Sequence, residues 1–212
     1  MPSGPGKSLL WNFGQSVCRI WTTRYFDLKV YGKRHIPPTG GVLIVSNHQS
    51  YLDPILLAVQ LRRPMSFLAR ATLFRNRFFS WLITNLNAFP VKRGEGDVGA
   101  VKEMIRRLEE GHMLAMFPEG TRTETGEMKS LEPGVALVLR RAKAAVVPAV
   151  IEGSFHAWPK GKNLPRAYPV RVLYGPVIDI SGMRANQIIP LLETRLREMV
   201  ADLRSGHFEK YG

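Results

Sequence analysis

Short apolar runs alternate with stretches of helical periodicity along most of the chain, and this alternation restricts the fold more than any other feature. Gly41–Ser46, Met65–Arg70, Met113–Phe117, Ala145–Ile151 and Val170–Tyr174 read as strands, and Phe89–Val91 as a short extended piece. Between them, Pro54–Gln60, Val98–Glu110, Gly134–Lys143 and Gln187–Leu203 place apolar residues at helical spacing, as does the stretch from Leu73 to about Leu86. Pro54 suits a first helical turn, and Gly111 suits a helix end. Strands alternating with helices predict an α/β fold: a single domain with a mixed, mostly parallel central sheet flanked by helices. A length of 212 residues with 45% hydrophobic residues fits one such domain and excludes a disordered chain.

The N-terminus breaks the pattern. Leu10, Phe13, Val17, Ile20 and Trp21 recur at i, i+3/i+4 spacing, with Asn12, Gln15, Ser16, Arg19 and Thr23 between them. An amphipathic helix is expected there, its apolar face either packed on the domain or lying in a membrane interface.

Charge is distributed just as unevenly. The chain has 30 Lys+Arg against 17 Asp+Glu, a net +13. Residues 1–94 hold +11 of it, with Asp27 and Asp53 as their only acids. From Pro54 to Gly94 there is no acid at all, and Phe67, Phe74, Phe78, Phe79, Trp81 and Phe89 interleave with the basic residues. Such a surface attracts nucleic acid, anionic headgroups or acidic partners. Cys18 is the only cysteine, which excludes an internal disulfide and a Cys-based zinc site. No run reaches the ~18–20 apolar residues of a membrane span, and no secretory signal pattern is present. Membrane contact is therefore expected to be peripheral, in a reducing, cytosol-facing location.

Sites in α/β sheets collect in loops beyond strand ends. Asn47-His48-Gln49-Ser50-Tyr51-Leu52-Asp53 follows one strand. His48 is a candidate general base, and a carboxylate on its second ring nitrogen would fix the tautomer. On a continuous helix His48 and Asp53 would lie about 140° apart, so only a folded loop lets them meet. Asp53 directly before Pro54 equally suits a helix N-cap, and His48 an ordinary loop position. Phe117-Pro118-Glu119-Gly120-Thr121-Arg122 follows another strand. Its glycine, hydroxyl and guanidinium suit a phosphate, and Glu119 fits beside an anion only if it pairs with an Arg or His of the site.

Together the loops resemble the glycerolipid acyltransferase family, of the lysophosphatidic acid acyltransferase type. Asn47–Asp53 matches its N-H-x-S-x-x-D block, containing His-x4-Asp. Asn87–Arg93 matches the second block, Phe117–Arg122 the F-P-E-G-T-R block, and Val146–Val150 the fourth. Asn87 stands where the second block usually has Gly, while Arg70 and Glu132 each stand where members often carry Lys. The resemblance implies acyl transfer from acyl-CoA or acyl carrier protein to the sn-2 hydroxyl of lysophosphatidic acid, giving phosphatidic acid. His48 and Asp53 would be catalytic, and Arg70, Arg93, Glu119, Gly120, Thr121 and Arg122 would bind substrate. No metal or other cofactor is expected. Residues 1–34 would form a membrane-associating segment and 35–212 the catalytic domain, bound to an anionic membrane surface on its cytoplasmic face as a peripheral or monotopic protein.

Two other readings fit the sequence. One is the same chemistry on another acceptor, a lyso-aminolipid or glycerol 3-phosphate. The other is a basic membrane- or nucleic-acid-binding module without catalysis, which leaves the two strand-end loops unexplained; nucleic acid is not expected as a partner.

Overall fold

The computed structural model describes residues 9–70, 75, 88–91 and 98–211. In chain order they form α1 (Leu9–Tyr25), β1 (Lys29–Tyr31), β2 (Val42–Ser46), α2 (Asp53–Ala58), β3 (Met65–Arg70), β4 (Ala88–Val91), α3 (Val98–Glu109), β5 (Met113–Met116), α4 (Val135–Arg141), β6 (Ala145–Glu152), α5 (Ser154–Ala157), β7 (Arg171–Tyr174) and α6 (Ala185–Ser205). The helix expected from Leu73 to Leu86 lies outside the described residues apart from Arg75.

The seven strands form one sheet in the order β1-β7-β6-β2-β5-β3-β4. The five strands from β6 to β4 run parallel, β7 is antiparallel to β6, and β1 is parallel to β7. The fold is the expected single α/β domain. All five parallel strands release their C-terminal ends at the same edge, which brings together loops far apart in sequence.

β2 lies in the middle and every residue of it is buried. Its side chains alternate between two cores. Leu43 and Val45 meet α3, α4 and α6 on one face, whereas Val42 and Ile44 meet α2 and Phe26 on the other. Coverage on both faces explains why the strand reads as a continuous apolar run rather than an alternating one.

The sheet begins before the boundary expected at residue 34. Lys29–Tyr31 pairs with Arg171–Leu173, and Phe26 and Leu28 are core residues. A three-residue strand carries no periodicity of its own; β7, contributed from far along the chain, completes it.

α1 turns Gln15, Cys18 and Thr22 toward the domain, while Ser16, Arg19 and Thr23 are exposed. Gln15 Nε2 donates to the carbonyl oxygens of Ala58 and Leu61 at 3.3 and 2.9 Å. Thr22 is fully buried, and Cys18 packs beside the α2 core. Phe13, Val17, Ile20 and Trp21 are exposed, with Phe13 at 70% and Ile20 at 65%. Among the described residues no helix is long and apolar enough to cross a membrane.

Candidate active site

β2 leaves the centre of the sheet at Ser46, and the following loop folds back on the first residue of α2. Asp53 Oδ2 accepts three N–H groups: His48 Nδ1 at 2.8 Å and the backbone amides of Gln49 and Ser50 at 2.6 and 2.8 Å. Asp53 Oδ1 accepts the Ser154 hydroxyl at 2.7 Å. The helix cap is Leu52, without a side-chain cap bond, so the Asp53 carboxylate closes the loop instead of capping α2. This folded loop lets positions 48 and 53 meet, as a continuous helix would not.

Every contact uses Asp53 as acceptor, so His48 carries a proton on Nδ1. Nε2 makes no hydrogen bond among the described residues. Asp53 is fully buried, while the His48 side chain is 18% exposed. Phe117 lies against the imidazole, with ring centroids 4.0 Å apart and planes 16° from parallel. The arrangement is an imidazole oriented through Nδ1 by a buried carboxylate, with Nε2 unengaged among the described residues.

Neighbouring strands hold the loop in place. Asn47 bridges to β6 through both backbone groups of Ile151, at 2.9 and 2.8 Å. Ser50 Oγ donates to Trp158 O at 2.7 Å, and Gln49 Nε2 to Gly126 O at 2.8 Å.

The loop after β5 lies alongside. Gly120 N donates to Phe117 O at 3.2 Å in a turn that gives Gly120 a φ of 66°, where a side chain would strain the backbone. Thr123 N donates to His48 O at 2.9 Å, which ties the two loops together. Thr121 is exposed and Arg122 half-buried. The Arg122 guanidinium carbon sits 3.4 Å from the Tyr51 ring centroid. Its Nη1 is buried without a hydrogen-bond partner among the described residues.

Glu119, expected to bind substrate, is engaged by the protein's own backbone. It is 3% exposed, and its two oxygens accept the backbone N–H groups of His48 at 2.7 Å and Lys129 at 2.8 Å. Burial pushes its carboxyl above the ordinary range, against the pull of those two donors. Glu119 is a clamp between loops, which explains an acid beside a basic site.

Arg70 ends β3 in register with Val91 of β4, so its backbone lies at the same sheet edge. Arg93 lies outside the described residues. Among the described residues no three His, Cys, Asp or Glu side chains cluster as metal ligands.

The sequence reading missed Ser154 as a partner of Asp53. The available signal was Gly153-Ser154 directly after a strand ending at the same edge. Gly153 has φ 91°, and a Cβ there would fall 2.2 Å from Pro169 O, so only glycine starts α5.

A Bacillus subtilis protein named 1-acyl-sn-glycerol-3-phosphate acyltransferase is 27% identical over 92% of this chain and 98% of its own length. A Streptococcus pneumoniae protein of that name is 30% identical over 79% of this chain and 64% of its own. The crystal structure of the acyltransferase PlsC from Thermotoga maritima superposes with a TM-score of 0.76 at 24% identity, covering 91% of this chain and 81% of that one, and supports the fold. The acyltransferase family model matches residues 27–152, more than half of the chain and both loops of the site. The chain belongs to the acyltransferase family.

Proposed function

We propose that the protein transfers an acyl group from an acyl thioester, acyl-CoA or acyl carrier protein, to the sn-2 hydroxyl of 1-acylglycerol 3-phosphate, giving phosphatidic acid. The observation that carries this reading is the His48–Asp53 pair beside Arg122, whose buried Nη1 has no partner among the described residues. The names of the relatives from Bacillus and Streptococcus support the choice of acceptor.

In this mechanism His48 Nε2 takes the proton of the acceptor hydroxyl as its oxygen attacks the thioester carbonyl carbon. The C–O bond forms, the C–S bond breaks, and the thiolate leaves with the proton returned by the imidazolium. Asp53 holds the ring and stabilises its transient charge. Arg122 grips the acceptor phosphate, with Gly120 and Thr121 shaping that loop; Arg70 and Arg93 are proposed to add charge at the same edge.

The outward apolar stripe of α1 and the +11 of residues 1–94 support a peripheral or monotopic position on the cytoplasmic face of an anionic membrane. The acceptor would reach the site from that surface.

Thiol release from acyl-CoA, measured with a panel of lysolipids, tests the reading. Release is expected with 1-acylglycerol 3-phosphate, and His48→Ala is expected to lower it by about 10²–10⁴-fold. Equal rates with acceptors lacking a phosphate monoester overturn the acceptor assignment. A His48→Ala rate within about a factor of two of wild type overturns the base.

A further inference from the structure

Tyr51 lies between the serine and the aspartate of the first loop, at a position the N-H-x-S-x-x-D block leaves unspecified, and nothing in the general-base chemistry calls for an aromatic residue there. Its ring is nonetheless half exposed and flanked on two sides. The Arg122 guanidinium carbon is 3.4 Å from its centroid, and the Trp158 ring is 5.5 Å away at 50°. Trp158 packs against the α2-side core, and its carbonyl accepts the Ser50 hydroxyl at 2.7 Å, which backs Tyr51 with fixed structure.

A guanidinium lying over a ring face keeps its in-plane N–H groups available to acceptors, and such a planar edge matches two phosphate oxygens. Arg122 Nη1 is buried without an acceptor among the described residues, a costly state for a charged donor. An anion's oxygen would relieve it.

We infer that Tyr51 is a positioning residue for the acceptor: its ring face, supported by Trp158, holds Arg122 with the N–H edge aimed at a phosphate monoester. The inference rests on the proposed acyl transfer to a phosphate-bearing acceptor. Tyr51 touches Arg122 rather than the reacting atoms, so its effect belongs in acceptor binding and not in the chemical step.

Initial-rate kinetics with 1-acylglycerol 3-phosphate and acyl-CoA test this on the full chain, with wild type, Tyr51→Leu, Tyr51→Phe, Arg122→Gln and the double variant Tyr51→Leu/Arg122→Gln. Tyr51→Leu is expected to raise the acceptor KM by about two- to thirty-fold, the range of a cation–π contact. Its kcat and thioester KM should move by less than about threefold. Tyr51→Phe, which keeps the ring face, should recover most of the acceptor KM. The double variant should be no worse than Arg122→Gln alone, because Tyr51 acts through Arg122. An unchanged acceptor KM in Tyr51→Leu beside a raised one in Arg122→Gln overturns the role of Tyr51 and leaves the phosphate assignment standing. Fully additive effects in the double variant overturn it as well. If Arg122→Gln leaves the acceptor KM unchanged, the phosphate assignment falls and the Tyr51 inference with it.

Discussion

Ser154 Oγ lies 2.7 Å from Asp53 Oδ1, so the carboxylate that orients His48 through one oxygen is held through the other by the first residue of α5, just beyond β6. Both side chains are fully buried. A hydrogen bond to a charged group contributes about 1.5–3 kcal/mol, and its loss inside the core is not made good by water. Ser154→Ala is therefore expected to destabilise the fold by about 1–3 kcal/mol, lowering the melting temperature by about 2–4 °C per kcal/mol. It should also reduce kcat more than acceptor KM, since the oriented imidazole rather than the phosphate grip is disturbed. Thermal melts beside steady-state kinetics check both; an undisturbed kcat would show that the backbone donors alone suffice to place Asp53.

Asp53→Asn separates charge from shape. The amide oxygen can take the place of Oδ2 before its three donors, while the amide nitrogen can donate to Ser154, so the loop is expected to remain folded. What disappears is the negative charge that stabilises the His48 imidazolium. A fall in kcat of about 10²–10⁴-fold is expected with little change in stability. A variant that keeps more than about a tenth of the wild-type kcat would reduce Asp53 to a loop-closing residue.

The fold was legible where burial imposes a pattern. β2 and β6 sit in the interior of the sheet, and their apolar runs stand out in the sequence. β1 was not legible, because Lys29-Val30-Tyr31 becomes a strand only by pairing with residues 171–173. The site divides along the same physical line. His48 and Arg122 announce themselves by residue type at strand ends. The N-cap and partner readings of Asp53 are locally equivalent, and contacts as distant as Ser154 separate them. Glu119 shows the same limit: residue type in a basic motif suggests a ligand contact, and only the fold reveals the backbone donors from His48 and Lys129 on its carboxylate. Sequence reveals which chemistry is present; the sheet edge decides which groups face the substrate.

α1 offers a test of membrane docking that leaves the core alone. Phe13 and Ile20 are mostly exposed, so Phe13→Ser and Ile20→Ser should change stability by no more than about 0.5 kcal/mol. Burial of such a side chain in an interface is worth about 1.5–3 kcal/mol, so each substitution should weaken binding to anionic vesicles by about ten-fold or more. Sedimentation with lipid vesicles measures this. Binding should also fall with added salt, because clustered basic residues contribute alongside the apolar stripe. Vesicle binding equal to wild type in both variants would exclude α1 as the docking surface.

Glu119→Gln probes the clamp between the loops and carries a defined pH dependence. The carboxylate accepts His48 N at 2.7 Å and Lys129 N at 2.8 Å; an amide offers one oxygen and sets an NH₂ group against the other backbone N–H. The mismatch should cost about 1–3 kcal/mol and lower activity by loosening the His48 loop. Burial holds the Glu119 carboxyl above its ordinary value of 4.5, so in the window just above 4.5 the folded state binds the proton more tightly than the unfolded chain. The stability contributed by this group is present below 4.5 and declines as pH rises through the raised folded value. Glutamine has no such titration. In urea unfolding at a series of pH values starting at 4.5, the wild-type advantage over Glu119→Gln should therefore narrow as pH increases; an advantage that widens would mean that the two backbone donors outweigh burial and that the ionised carboxylate is the form the fold prefers.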